Sequence, residues 1–118
     1  MSTTTLNWMM DGPRTPADRW DRATFLFDLG EHIAAARELE SLTADEPATA
    51  AVLLLLARAY YHSAQLGRAE QTARDLLAEA PSDGYAHLLL GRTLQRGSRH
   101  DEAAPHLRLA AAMGVATA

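Results

Sequence analysis

The chain has 118 residues, of which 47% are hydrophobic and 22% charged, a balance typical of one folded domain or one short repeat array rather than a largely disordered chain. It contains no cysteine, which excludes disulfide bonds, thiolate metal sites and cysteine nucleophiles. Eleven basic and fifteen acidic residues give a net charge of −4, which argues against a nucleic-acid-binding protein.

Targeting signals are not evident in the sequence. The N-terminal stretch has no basic residue before its apolar patch Leu6–Met10, and that patch is too short for the core of a signal peptide. The longest apolar run, Ala50–Ala57, is well short of the roughly twenty residues that a membrane span needs. We therefore expect a soluble, cytoplasmic protein. The alanine-rich composition, with arginine as the sole basic residue type besides histidine, suits a bacterial genome of high GC content.

An internal repeat organises the chain. Pro13, Pro47 and Pro81 are spaced by 34 residues. Five further series share this spacing: Ala23, Ala57 and Gly91; Gly30, Ala64 and Ser98; Ala35, Ala69 and Ala103; Leu39, Ala73 and Leu107; Leu42, Leu76 and Ala110. A period of this length indicates a repeat architecture built from one small folding unit.

Each unit is predicted to hold two helices of about a dozen residues joined by a short turn. Its composition favours helix, and its apolar residues recur at spacings of three and four residues, which places them on one face of a helix. Two such stripes occur in the second unit: Leu53, Leu56, Ala57 and Tyr60, then Ala69, Ala73, Leu76 and Leu77. Small residues at Ala57 and Ala69 would allow the two backbones to approach closely.

Capping residues predict where helices begin. In chain order, Thr15 with Asp18 is typical of the start of the first helix, and Asp45 is a candidate cap for the third. The last helix is expected to follow Asp101 and to begin at the next residue. Pro105 would then be its fourth residue, whose N–H has no intrahelical partner in any case.

The pattern resembles the tetratricopeptide repeat, whose signature reads W-x2-L-G-x2-Y, then A-x3-F, then P. The second unit matches it most closely, at Leu53, Leu56, Ala57, Tyr60, Ala69, Ala73 and Pro81. The third unit matches at His87, Leu90, Gly91, Leu94, Ala103 and Leu107, with Val115 in place of the final proline. The first unit departs most, with two arginines at bulky apolar positions: Arg19, Arg22, Ala23, Leu26, Ala35, Leu39 and Pro47.

The resemblance implies an all-α fold, a right-handed superhelical solenoid of three helix pairs. We expect an N-terminal segment at residues 1–14, repeats at about 16–47, 48–81 and 82–114 within residues 15–114, and a tail at 115–118.

The sequence leaves open what covers the apolar surface at the two ends of the array. By the 34-residue spacing, Trp8 corresponds to Leu42, and the segment around it would cover the first repeat. Alternatively, Leu6–Met10 enters the groove of this chain or of a partner chain, or the terminus is simply frayed. At the other end, Leu107, Leu109 and Met113 would stay partly bare, a candidate surface for self-association.

The charge is also uneven along the chain. Residues 1–47 carry a net charge of −5 and residues 48–118 a net charge of +1. An acidic N-terminal part and a near-neutral C-terminal part permit contact between the N-terminal end of one copy and the C-terminal end of another.

The first helix of each pair is expected to line a concave groove. Helical phase assigns to it Trp20, Asp21, Thr24, Phe27 and Asp28 from the first repeat. From the second repeat it assigns Leu54, Leu55, Arg58, Tyr61 and His62, and from the third Tyr85, Leu88, Leu89, Arg92 and Arg96. Such a groove suits an amphipathic helix or an extended apolar peptide. The alternative, given equal weight, is that the four leucines of this set belong to the hydrophobic core: Leu54, Leu55, Leu88 and Leu89.

One subtype of the family grips acidic chaperone tails with lysine and asparagine on the groove. The matching places in this chain are Trp20, Thr24 and Leu55, so that clamp is missing.

Catalytic motifs are not evident either. The five histidines form no i, i+4 metal pair, and there is no glycine-rich phosphate loop or nucleophile elbow, so we expect neither metal, nor cofactor, nor enzymatic activity. His62 is either a ligand contact or a solvated or core histidine.

The sequence thus predicts a bacterial, cytoplasmic adaptor or scaffold that binds a protein or peptide partner in its groove. The alternative is a self-assembling, homo-oligomeric unit that uses Leu6–Met10 or the uncapped last helix. Neither nucleic acid nor membrane is expected as a partner.

Overall fold

The structure, a computed structural model, describes residues 15–115, and within that range it contains six α-helices and no strand. In chain order these are α1 (Pro16–Asp28), α2 (His32–Asp45), α3 (Ala50–His62), α4 (Leu66–Glu79), α5 (Gly84–Arg96) and α6 (His100–Ala112). They pack as three helix pairs, α1 with α2, α3 with α4 and α5 with α6, and each pair leans on the next. The all-α arrangement predicted from the period is therefore confirmed. The predictions for Leu6–Met10, Trp8 and Pro13 lie outside the described residues.

Two helix starts show how local sequence sets the element boundaries. The Thr15 hydroxyl accepts from the Asp18 N–H at 3.1 Å, and the Asp18 carboxylate accepts from the Thr15 N–H at 3.3 Å, which is the predicted cap in reciprocal form. Asp45 does not cap α3; it ends α2. Because Glu46 precedes Pro47 it is held extended, which stops α2, and Thr49 caps α3 instead.

The last helix begins two residues earlier than the sequence suggests. Its first residue is His100, and no side chain caps it. Pro105 therefore lies in the second turn, where it cannot donate to the carbonyl of Asp101. Asp101 is exposed, so water can hydrate that carbonyl.

The turn inside each helix pair has one conserved geometry across the three repeats. Gly30, Ala64 and Ser98 occupy the same register and all have positive φ, at 84°, 61° and 62°. In each turn the next residue's N–H reaches back five residues, as from Glu31 to the Leu26 carbonyl at 2.9 Å. This bond satisfies a carbonyl at the end of the first helix, as in a Schellman motif. The 34-residue series that contains these three residues thus marks the turn.

Small residues lie between the two helices of every pair. The following are buried: Ala23, Ala57 and Gly91 on the first helices, and Ala35, Ala69 and Ala103 on the second. At Gly91 the fit is close, because an added Cβ would lie 2.6 Å from Cδ2 of Leu107. A side chain at this position would require Leu107 or its helix to shift.

Polar contacts join successive repeats at the rim of the apolar core. The Tyr60 hydroxyl of α3 donates to the Glu40 carboxylate of α2 at 2.6 Å. Burial, and then the Glu40 carboxylate, raise the pKa of the Tyr60 hydroxyl well above its ordinary value, so this donor keeps its proton. Arg99, just before α6, donates to Glu70 of α4 at 2.6 Å. Each junction between repeats therefore has its own cross-link.

We predict that Gly91→Ala lowers the free energy of unfolding by about 1–3 kcal/mol, since the added methyl group overpacks the contact with Leu107. Gly67→Ala in α4 is the matched control, because an added Cβ there meets no atom within 4 Å. It is expected to be neutral or stabilising by up to about 1 kcal/mol through helix propensity. Urea denaturation followed by circular dichroism measures both; equal effects of the two changes would contradict the close approach.

Candidate partner-binding groove

A cavity of about 480 Å³ lies between α3 and α5, the first helices of the second and third repeats. Its lining consists of Leu54, Arg58, Tyr61, His62, Tyr85, Leu88, Leu89 and Arg92. All eight are residues that helical phase assigned to the groove. The two helices run side by side because each repeat stacks on the next, and this brings together side chains about thirty residues apart in the chain.

The apolar part of the cavity is only partly covered by the protein itself. Leu54, Leu88 and Leu89 are half-buried, and Tyr85 remains 65% exposed. Leucine and tyrosine side chains in this state still have apolar area to bury against another molecule.

Two arginines of the groove rest on aromatic rings. The Arg58 guanidinium lies 4.6 Å from the centroid of Phe27, and that of Arg96 lies 4.8 Å from the centroid of Tyr61. Arg96 also donates to the Tyr61 carbonyl at 3.0 Å. Cation–π contacts of this kind hold a guanidinium in place over a ring.

The His62 ring packs against side chains of the first repeat. Its ring stacks on His32 at 4.9 Å and meets the edge of Phe27 at 5.7 Å. Burial lowers the pKa of His62 below its ordinary value, and the nearby charges of His32, Arg58 and Arg96 lower it further. The neutral imidazole is therefore favoured at neutral pH, and the electrostatic potential around it is positive.

The other predicted groove residues do not line this cavity. Phe27 adjoins it through Arg58 and His62, whereas Trp20 packs half-buried against the hydrophobic core. The Thr24 hydroxyl donates to the Asp21 carbonyl at 2.9 Å, within α1. Leu55, 7% exposed, is a core residue, because it follows Leu54 by one position and so points about 100° around the helix.

His32 is a neighbour of the cavity that sequence reasoning missed. It begins α2, a second helix, whereas the groove was assigned to first helices alone. Its partner His62 is thirty residues away, so no spacing rule for a single helix connects the two histidines.

No group of three or more His, Asp or Glu side chains in residues 15–115 is placed to hold a metal ion. None of the six helices of that range is sufficiently long and apolar to span a bilayer.

The model of the tetratricopeptide repeat family matches residues 26–93, more than half of the chain. Two solved structures are similar at 23% identity. One, a MamA double mutant (MamA RS-1 ArsTM), has a TM-score of 0.78 and is matched over 86% of this chain and 57% of its own.

The other solved structure is MamA from residue 41 to the end, from Desulfovibrio magneticus RS-1, with a TM-score of 0.76 over 83% of this chain and 55% of its own. The chain thus spans little more than half the length of these two structures, and at this identity the likeness shows the fold. No curated protein sequence matches the chain.

We predict that the pKa of His62, measured by NMR titration, lies below 6.5 and rises in Arg58→Gln, which removes one of the positive charges that lower it. Arg108→Gln on exposed α6 surface is the control and is expected to leave the pKa unchanged. Since the fold favours neutral His62, protonation opposes folding, so the contribution is complete above pH 6.5 and is lost as the pH falls below that value. A pKa for His62 at or above 6.5 would contradict the positive potential.

Proposed function

Because the chain belongs to the tetratricopeptide repeat family, we propose that it is an adaptor or scaffold module that binds a peptide or helix of a partner protein in the groove between α3 and α5. The module acts by binding alone. We propose that it does so in the bacterial cytoplasm, which remains a prediction from the sequence.

The observation that supports this proposal most directly is the cavity itself. Its volume of about 480 Å³ falls in the range of ligand pockets, and its lining combines leucines with two tyrosines and two arginines. Tyrosine and arginine are over-represented among the residues that dominate binding energies at protein interfaces. The exposure of Tyr85 and the partial exposure of the leucines leave this lining available to a partner.

We predict that the combined change Arg58→Ala, Tyr61→Ala and Arg92→Ala weakens partner binding at least about tenfold, because it removes anchors from both helices of the groove. Pull-down from a lysate of the source organism, followed by titration of the partner it identifies, measures the loss. Circular dichroism checks that helicity is intact.

The matched control is the combined change Ile33→Ala, Arg37→Ala and Arg108→Ala, which removes one large apolar residue and two arginines from exposed positions away from the cavity. It is expected to retain binding. Partner binding that survives the groove change and fails with the control would place the interface elsewhere.

A second candidate function, self-assembly, is favoured by the two ends of the described array. Leu109 and Met113 on the last pair are 43% and 41% exposed, at positions where the earlier repeats carry Ser41 or Asp75 and Asp45 or Glu79. At the other end Phe25 is 44% exposed, in the register of the buried Ala59 and Thr93. Apolar residues at both ends are suited to contact between copies of the chain.

Sedimentation velocity tests this second function. If the chain assembles, removal of residues 1–12, or Leu109→Gln with Met113→Gln, shifts the full-length protein toward monomer, because each change removes apolar side chains. Leu107 is not altered, since it packs against the core beside Gly91. Ile33→Gln serves as a control at an exposed apolar site on α2, outside the lining of the cavity. A monomer in all samples would eliminate assembly.

A further inference from the structure

Two histidines of the third repeat form a hydrogen-bonded pair between α5 and α6. The Nδ1 atoms of His87 and His106 lie 3.1 Å apart, and the two rings are stacked with their centroids 5.3 Å apart. His87 is buried, with 7% of its surface exposed, and its Nε2 lies 2.8 Å from the Pro81 carbonyl oxygen. This histidine pair therefore joins both helices of the repeat to the loop that precedes α5.

The partners of the histidine pair fix where its hydrogens lie. A carbonyl oxygen only accepts, so Nε2 of His87 carries a hydrogen and donates to Pro81. In the neutral ring the lone pair is then on Nδ1 of His87, which accepts from the Nδ1–H of His106. The neutral pair thus satisfies both of these contacts at once.

This geometry accommodates one added proton but not two. If His87 gains a proton at Nδ1, it donates to Nδ1 of His106, provided that the hydrogen of His106 is on Nε2 instead. If both rings are protonated, two N–H groups point at each other across 3.1 Å and neither has an acceptor. Two positive charges would also lie in rings only 5.3 Å apart.

The surroundings of the histidine pair further oppose a positive charge. Arg74 of α4 lines the same cavity, of about 350 Å³, as His87 and His106. Burial, and then the charges of His87 and Arg74, lower the pKa of His106 below its ordinary value. The second proton is therefore disfavoured by the neighbouring helix as well as by the partner ring.

Acidic side chains near the pair are engaged with other groups. Asp83, one turn before His87, accepts from the Ala86 N–H at 3.1 Å and so caps α5. Glu102, one turn before His106, accepts from Arg99 at 2.6 Å. Compensation of a second positive charge by these carboxylates would require contacts that stabilise the two helices to break.

From these contacts we infer that His87 and His106 form a pH-sensitive latch, a contact that is closed at neutral pH and opens when both rings are protonated. The open latch holds two protons and the closed latch holds one at most, so opening takes up at least one proton. The ratio of open to closed molecules is therefore expected to rise at least about fivefold between pH 6 and pH 5.

Opening of the latch acts on a helix that also forms the groove. α5 carries His87 towards α6, and it contributes Tyr85, Leu88 and Leu89 to the cavity that it shares with α3. Release of His87 from His106 and Pro81 removes polar contacts that hold the N-terminal half of α5. The latch goes beyond the proposed function, because it is a property of the fold whether or not a partner occupies the groove.

Amide hydrogen exchange of the full chain, measured by NMR with a metal chelator present, tests the latch. His106→Asn keeps a side-chain N–H that can donate to His87 but removes one of the two sites of protonation. Between pH 6 and pH 5, after correction for intrinsic exchange rates, opening of α5 and α6 should increase at least about fivefold in the wild-type chain. The increase should be much smaller in His106→Asn.

The matched control is His100→Asn, which changes an exposed histidine at the first residue of the same helix. It is expected to show the wild-type pH dependence. No increase in the wild-type chain, or an equal increase in the wild-type chain and in His106→Asn, would overturn the latch.

The nitrogen chemical shifts of the wild-type imidazoles provide a second measurement that needs no variant. At pH 7.5, His87 should carry its hydrogen on Nε2 and His106 on Nδ1, as their hydrogen bonds require. Two rings in the same tautomer would overturn the latch, whatever the exchange experiment gives.

Discussion

The close approach of two helices within each repeat is the constraint on which the rest of the structure depends. Alanine or glycine at the register of Ala57 removes the side chain that would separate the helices, and the neighbouring helix fills the space, as Leu107 does over Gly91. Once each pair has the same internal spacing, successive pairs stack in the same way and their first helices lie side by side. The cavity between α3 and α5 is therefore a consequence of small residues that do not touch it.

The turns transmit this regularity along the chain. Gly30, Ala64 and Ser98 adopt the left-handed conformation at one register, although two of them carry a side chain that disfavours it. That cost, about 1–2 kcal/mol per residue, is tolerated because the turn satisfies helix carbonyls and points the second helix back along the first. The second helices consequently begin without side-chain caps at Glu31, Gln65 and Arg99, since the turn has already set their direction.

Much of the fold is predictable from the sequence because the same pattern of small and apolar residues occurs in three repeats. Spacing alone identifies the helix pairs, and helical phase alone selects all eight residues of the cavity. Predictions fail where the role of a residue depends on its immediate neighbours in the chain or on a contact between helices. Asp45 lost its expected role because Pro47 holds the preceding residue extended, and Leu55 lies in the core because one residue changes its direction on α3 by about 100°. The stacking of His32 on His62 depends on how α2 meets α3 and is invisible to any spacing rule.

Charged side chains meet different kinds of partner at the repeat junctions and in the groove. The ion pairs within residues 15–115 include bridges between neighbouring repeats, such as Arg99 with Glu70, where opposite charges meet across a junction. In the groove, by contrast, Arg58 and Arg96 lie over aromatic rings, and the pKa of His62 is lowered by burial and then by nearby positive groups. These contacts also join neighbouring repeats, because Arg58 of the second repeat lies over Phe27 of the first, and Arg96 of the third lies over Tyr61 of the second. Like charges placed together nevertheless oppose folding. A fold stabilised elsewhere by apolar packing and ion pairs can carry this unfavourable cluster.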